Sequence, residues 1–162
     1  MKELSYSVVI RTLGNTGLKY KALLDSIAKQ TIQPEEIIVA IPEGYELDYS
    51  YGNEHIVRCK KGMTTQRAAG ILAAKSEYIL VVDDDVEFDV TMVEELYQYM
   101  IANNLNCCLP MEGVCVNKNI NTMDLRRPLS TRLRSGFTGQ MFTSRRKSKY
   151  LDVLTLAAGH KV

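Results

Sequence analysis

Short apolar runs rich in β-branched residues recur along the first half of the chain. They are YSVVIR at 6–11, EIIVAI at 36–41, HIVRC at 55–59 and YILVV at 78–82. Each is bounded by Gly, Pro or polar residues, which is the pattern of buried strands. Between them, apolar positions fall at helical spacing. In 18–29, Leu18, Ala22, Leu23, Leu24 and Ile27 make an apolar face, and Lys19, Lys21, Asp25 and Lys29 face outward. In 63–75, Thr64 is the expected N-cap. The interior of that helix is small: Ala68, Ala69, Gly70, Ala73 and Ala74. A helical Gly costs about 1 kcal/mol relative to Ala, so close approach to a sheet or ligand is the expected reason for it. In 91–103, Thr91 and Glu94 form a capping-box pattern ahead of Val93, Leu96, Tyr97, Met100 and Ile101.

The loops carry their own signals. Residues 12–17 (TLGNTG) are turn formers, and 45–53 is a polar, tyrosine-rich surface loop. Residues 106–116 read as a further strand region interrupted at Pro110. Beyond Asn117 the periodicity decays, 150–158 suits a helix or a strand, and no clear terminal element follows. The order β-α-β-β-α-β-α-β implies an α/β sandwich with a mainly parallel central sheet.

Composition changes this picture little. A chain of 162 residues with 46% hydrophobic and 24% charged content fits one soluble domain. A net charge of +1 advertises no polyanionic partner. The charge is uneven, however: 126–149 holds eight Lys or Arg and no Asp or Glu. This is either a solvated loop or an anion-contacting segment. It lacks the spacing of a membrane-surface helix and the interleaved aromatics of a single-strand nucleic-acid binder. No apolar run approaches the ~20 residues that span a bilayer. The start, MKE, passes almost at once into a strand without a signal-peptide core. The expected location is the cytoplasm or the cytosolic face of a membrane. Cys59, Cys107, Cys108 and Cys115 form no CxxC pair, and with His55 and His160 they offer no zinc spacing, so reduced thiols are expected. Cys107 and Cys108 would point to opposite faces of a strand.

Candidate chemistry concentrates at 77–88, EYILVVDDDVEF. An apolar strand ends in Asp83, Asp84 and Asp85. Three adjacent acids have poor strand propensity and suit a strand end facing water or a cation. Open α/β sheets bind ligands at that edge, and a hard divalent cation takes oxygen ligands there. The plain alternative is a solvated acidic turn.

Taken together, three stretches resemble the family 2 glycosyltransferases, which have a GT-A nucleotide-sugar-binding fold. They are YSVVIRTLGNTG, SIAKQTIQPEEIIVA and KKGMTTQRAAGILAAKSEYILVVDDDV, and the resemblance covers about residues 5–105. It implies a GT-A-like αβα sandwich, with 1–116 as the donor-binding core and 117–162 as a basic continuation of the same domain toward the acceptor half. It implies transfer of a sugar from a UDP- or GDP-linked donor to a saccharide, lipid-linked or related acceptor, with inversion. Asp83–Asp85 contain the family's Asp-X-Asp motif, with Asp83 and Asp85 as metal ligands for Mn²⁺ or Mg²⁺. Asp84 falls to the ribose or sugar, Thr12 to the nucleoside cradle, Glu43 to a nucleoside contact, and Arg67 to the diphosphate or the acids. Asp83 is also counted among the donor contacts. Two positions depart from the family: its Asp-rich turn after strand two is Ile41-Pro42-Glu43-Gly44, and the Asn usual after Arg67 is Ala68. No catalytic base is identifiable; Glu112, Asp124 and Asp152 sit in no recognisable motif. The alternative function is a non-catalytic or truncated nucleotide-sugar-binding module. A nucleotidyltransferase ranks behind both, because TLGNTGLK lacks that class's phosphate-loop arrangement.

Overall fold

The structure, a computed structural model, describes residues 4–105, 107–108 and 141–144. The four apolar runs form strands close to their expected limits: β1 Tyr6–Arg11, β2 Glu36–Pro42, β3 His55–Cys59 and β4 Tyr78–Asp83. The helices are α1 Leu18–Ala28, α2 Met63–Ala73 and α3 Met92–Ala102. Two short strands, β5 Cys107–Cys108 and β6 Met141–Ser144, complete a sheet of order β3-β2-β1-β4-β6-β5. The first four strands are parallel, and β6 runs antiparallel to β4 and β5. This is the mainly parallel α/β sheet that the element order implies. The rest of 106–116 and of 117–162 lies outside the described residues. That includes Cys115, Glu112, Asp124, Asp152, the 150–158 stretch and most of the basic segment.

Alternation along the strands builds two cores. Val8, Ile10, Leu80 and Val82 face α1 and α3, where they meet Leu23, Leu24, Ile27, Val93, Leu96 and Met100. Val9, Ile38, Ile79 and Val81 face α2 and meet Ile71 and Ala74. Cys107 packs with the second core and Cys108 with the first, on opposite faces as expected. The three described cysteines are free thiols. On the α2 side the layers approach closely: a Cβ on Gly70 would lie 2.4 Å from Val9 Cγ1. This accounts for the small interior of that helix. Strand β6 is held by Phe142, fully buried, stacked on Tyr78 at 5.7 Å and edge-on to Tyr6 at 6.3 Å.

Several local expectations are corrected. Leu18 is 84% exposed. The core face of α1 is Tyr20, Leu23, Leu24 and Ile27, and Leu18 lies on the opposite side of the helix from Tyr20. Ile101 is exposed for a similar reason, falling outside the seam of Val93, Leu96 and Met100. Thr64 is not the N-cap of α2; the helix starts at Met63 and Gly62 takes that position. The Thr91–Glu94 capping box does not form. Gln30, buried just past α1, accepts from the Val93 backbone N–H at 3.1 Å and donates to Asp89 O at 2.7 Å. Glu94 is bonded to Thr31 instead. The start of α3 is therefore capped from the segment after α1, not from its own first turn.

Candidate functional site

The strand order reverses between β1 and β4. The chain winds outward through β1, β2 and β3, then returns to place β4 on the other side of β1. In open α/β sheets the crevice at the carboxyl ends of such strands is the ligand site. In register, Arg11 pairs with Asp83, so the last residues of β1 and β4 lie side by side at this point.

Alternation then separates the acids. Asp83 continues the face of Ile79 and Val81, toward α2. There Arg67 Nη2 donates to both Asp83 oxygens at 2.9 Å, and Arg11 Nε donates to Oδ1 at 2.9 Å. Arg67 is fully buried, and the side chain of Asp83 is 18% exposed. Charge-assisted bonds of this kind are short and strong, and they hold Asp83 rigidly. Asp84 is buried and is held by the loop after β1: Thr12 Oγ1 donates to its Oδ2 at 2.5 Å, and Thr16 Oγ1 at 3.2 Å. The Thr12 hydroxyl also accepts from Gly14 N at 2.8 Å. Gly14 itself has φ +83°, and a Cβ there would meet Glu46 O at 1.9 Å, so the loop 12–17 packs tightly against the loop after β2. Asp85 is exposed and makes no hydrogen bond or ion pair with another described residue.

The remaining edge is braced by α2. Gln66, buried beside Arg67, donates to Thr12 O at 2.7 Å and to Ala40 O at 3.0 Å, tying the ends of β1 and β2 together. Glu43 stands exposed at the end of β2, its backbone N–H bonded to Cys59 O at 3.0 Å. Burial raises the Cys59 thiol pKa, and the Glu43 charge adds to this. Tyr20, on α1, is buried and its hydroxyl has no hydrogen-bond partner among the described residues; burial raises its pKa, helped by Glu54 and Asp84.

The structure thus brings Thr12 to Asp84 and Arg67 to Asp83. It leaves Asp85 open beside them and Glu43 farther along, without a hydrogen bond to the acids, Thr12 or Arg67 among the described residues. Arg11, Thr16 and Gln66 escaped the sequence reading. Arg11 had a signal: a charge closing an otherwise apolar strand, next to the loop. Among the described residues no group of three or more His, Cys, Asp or Glu converges as a metal cage. The open carboxylate of Asp85 still fits a cation that takes most of its ligands from phosphates, since Mg²⁺ typically uses one or two carboxylates beside them. Asp83 fits that role less well, because its oxygens already accept three hydrogen bonds from two guanidiniums.

A mainly parallel GT-A-like α/β sheet with an acid-tipped switch point defines the class. The family described as Glycosyl transferase family 2 matches residues 43–156, and the chain belongs to it. No curated protein matches the sequence. Among solved structures, S. aureus TarS 1–349 superposes with TM-score 0.61 at 16% identity, covering 96% of this chain and 55% of that one. The same protein in complex with UDP gives 0.59, again at 16% identity with 96% and 55% coverage. The mannosyltransferase PcManGT from Pyrobaculum calidifontis, in complex with GDP-Man and Mn²⁺, gives 0.52 at 13% identity, covering 70% and 37%. At such identities the likeness is one of fold. The chain spans between 21% and 55% of the length of the structures named TarS.

Proposed function

We propose that the carboxyl edge of β1 and β4 binds a UDP- or GDP-linked sugar, and that the chain transfers the glycosyl group, with inversion, to a saccharide, lipid-linked or related acceptor. The observation that carries this is the switch point itself: an acid-tipped β4 beside the Thr12 loop, braced by Arg67, in a chain of this family. Neighbours of the same fold hold UDP, or GDP-Man with Mn²⁺, in their structures.

The residues divide the work by their surroundings. Asp83, clamped by two guanidiniums, fixes the end of β4 against β1 and α2. Asp84 fixes the Thr12 loop that faces the nucleoside. Asp85 is the carboxylate left to hold Mn²⁺ or Mg²⁺, and Glu43 stands where the nucleoside passes the end of β2. Held at Asp85, such a cation would supply charge neutralisation and orientation for the departing diphosphate. The acceptor hydroxyl needs a base for its attack on the anomeric carbon, and no described residue is assigned that part.

A thermal-shift screen of nucleotide sugars, with and without Mn²⁺, tests the reading. A ligand at a hundred times its Kd stabilises by about 2.7 kcal/mol, so a donor should separate clearly from bystanders. Indifference to every nucleotide sugar would contradict the proposal. Donor binding without transfer to any acceptor would support the nucleotide-sugar-binding module instead.

A further inference from the structure

Arg11 has so far only helped to clamp Asp83. It closes β1, its side chain is 22% exposed, and it lies in register with Asp83 at the switch point. A guanidinium has two donor edges in one plane. Here the Nε position is spent on Asp83 Oδ1 at 2.9 Å. The Nη1 and Nη2 groups have no partner among the described residues. Asp83 Oδ1 is shared between Arg11 and Arg67.

We propose that Arg11 is a diphosphate-contacting residue, with Asp83 as the positioning residue that aims it. The Arg67 bonds hold Asp83, Asp83 holds Nε of Arg11, and the Nη1–Nη2 edge is presented for two parallel bonds to phosphate oxygens. This arrangement requires arginine. A lysine has a point charge on a flexible stem and cannot serve Asp83 and a phosphate through separate edges of one rigid fork. It also assigns Asp83 a function at the site that does not depend on metal contact. The inference rests on the donor reading above and deepens it: the ligand class is a nucleoside diphosphate, recognised through its phosphates at the end of β1 as well as at Asp85.

Calorimetric titration of the 162-residue chain with UDP, GDP, uridine and guanosine separates these claims. Arg11→Gln should weaken the bound diphosphate by roughly 10- to 100-fold, the range of a lost bond to a charged group, and should leave the matching nucleoside unchanged. The residual diphosphate affinity should also be less sensitive to salt. Arg11→Lys should recover only part of the loss. Unchanged diphosphate affinity in Arg11→Gln overturns the inference, as does an equal loss of nucleoside and diphosphate. If Arg11→Gln does not fold, Arg11→Lys decides alone: wild-type diphosphate affinity overturns the inference, and a selective diphosphate loss supports it. Wild-type protein that binds neither UDP nor GDP overturns the donor reading, and this inference with it. That result is distinct from a failure confined to the variants.

Discussion

Three identical side chains in a row meet three different fates. Asp83 is salt-bridged on the α2 side, Asp84 is hydrogen-bonded on the α1 side, and Asp85 is left to solvent. The physical cause is the two-residue period of the strand followed by the turn that ends it. Their variants should therefore differ in kind. Asp83→Ala takes the carboxylate from a fully buried arginine and should cost about 3 kcal/mol, the scale for breaking a buried pair. Asp85→Ala should stay within about 0.5 kcal/mol of wild type, as for a surface change. Urea unfolding of both variants checks this, and equal costs would contradict the division. Thr12→Val should fall between them, at about 1–3 kcal/mol, because it removes a bond to Asp84 and leaves Gly14 N–H unsatisfied. The sequence marks this DDD run as a site, but it does not separate the three roles. Which acid meets which partner depends on the Arg11–Asp83 register between strands distant in sequence.

At the scale of elements, α2 does most to place the site, carrying Gln66 and Arg67 to the sheet edge on a closely packed face. Gly70→Ala tests that packing. Helix propensity alone would favour Ala by about 1 kcal/mol. The clash with Val9 should outweigh it, for a net loss of about 1–2 kcal/mol in unfolding experiments. A gain in stability would show that the helix has room to move. The opposite edge of the sheet is tied by Glu36, which accepts from Ser7 Oγ and Lys75 N at 2.7 Å each. Burial pushes its carboxyl pKa up, but these bonds and the nearby Lys75 and His55 charges push it further down, so the net shift is downward. A folded-state pKa below the unfolded one gives stability that is full above the ordinary carboxylate range. That stability is lost as pH falls through the depressed value. Glu36→Gln should cost about 1 kcal/mol at neutral pH, with the difference from wild type closing in acid. A pH-independent difference would contradict this. Strands β1, β2 and β4 were legible because strands covered on both faces read as continuous apolar runs. Strand β6 was not: MFTS sits in a basic stretch, and its place is fixed by Tyr78 and Tyr6, which local pattern does not reveal. The cap of α3 is hidden from local pattern likewise, since Gln30 supplies it from the loop after α1.

For the whole molecule, the fold's winding decides where chemistry is possible. The reversal at β1 and β4 gathers a loop, a helix and an acid-tipped strand into one edge, and the family resemblance of residues 5–105 was already legible because those pieces occur in order. Arg11 was read only as the end of a strand, since its partner lies across the sheet. Among the described residues no helix is long and apolar enough to cross a membrane. The central claim is that this edge holds a nucleoside diphosphate with a divalent cation at Asp85. Calorimetric titration of UDP and GDP, with and without Mn²⁺, into wild type and Asp85→Ala tests it most directly. The account predicts that Mn²⁺ tightens one of the two nucleotides on wild type by about tenfold or more, or about 1.4 kcal/mol, and that Asp85→Ala abolishes this gain while remaining folded. A full Mn²⁺ effect in Asp85→Ala, or none in wild type, would contradict it.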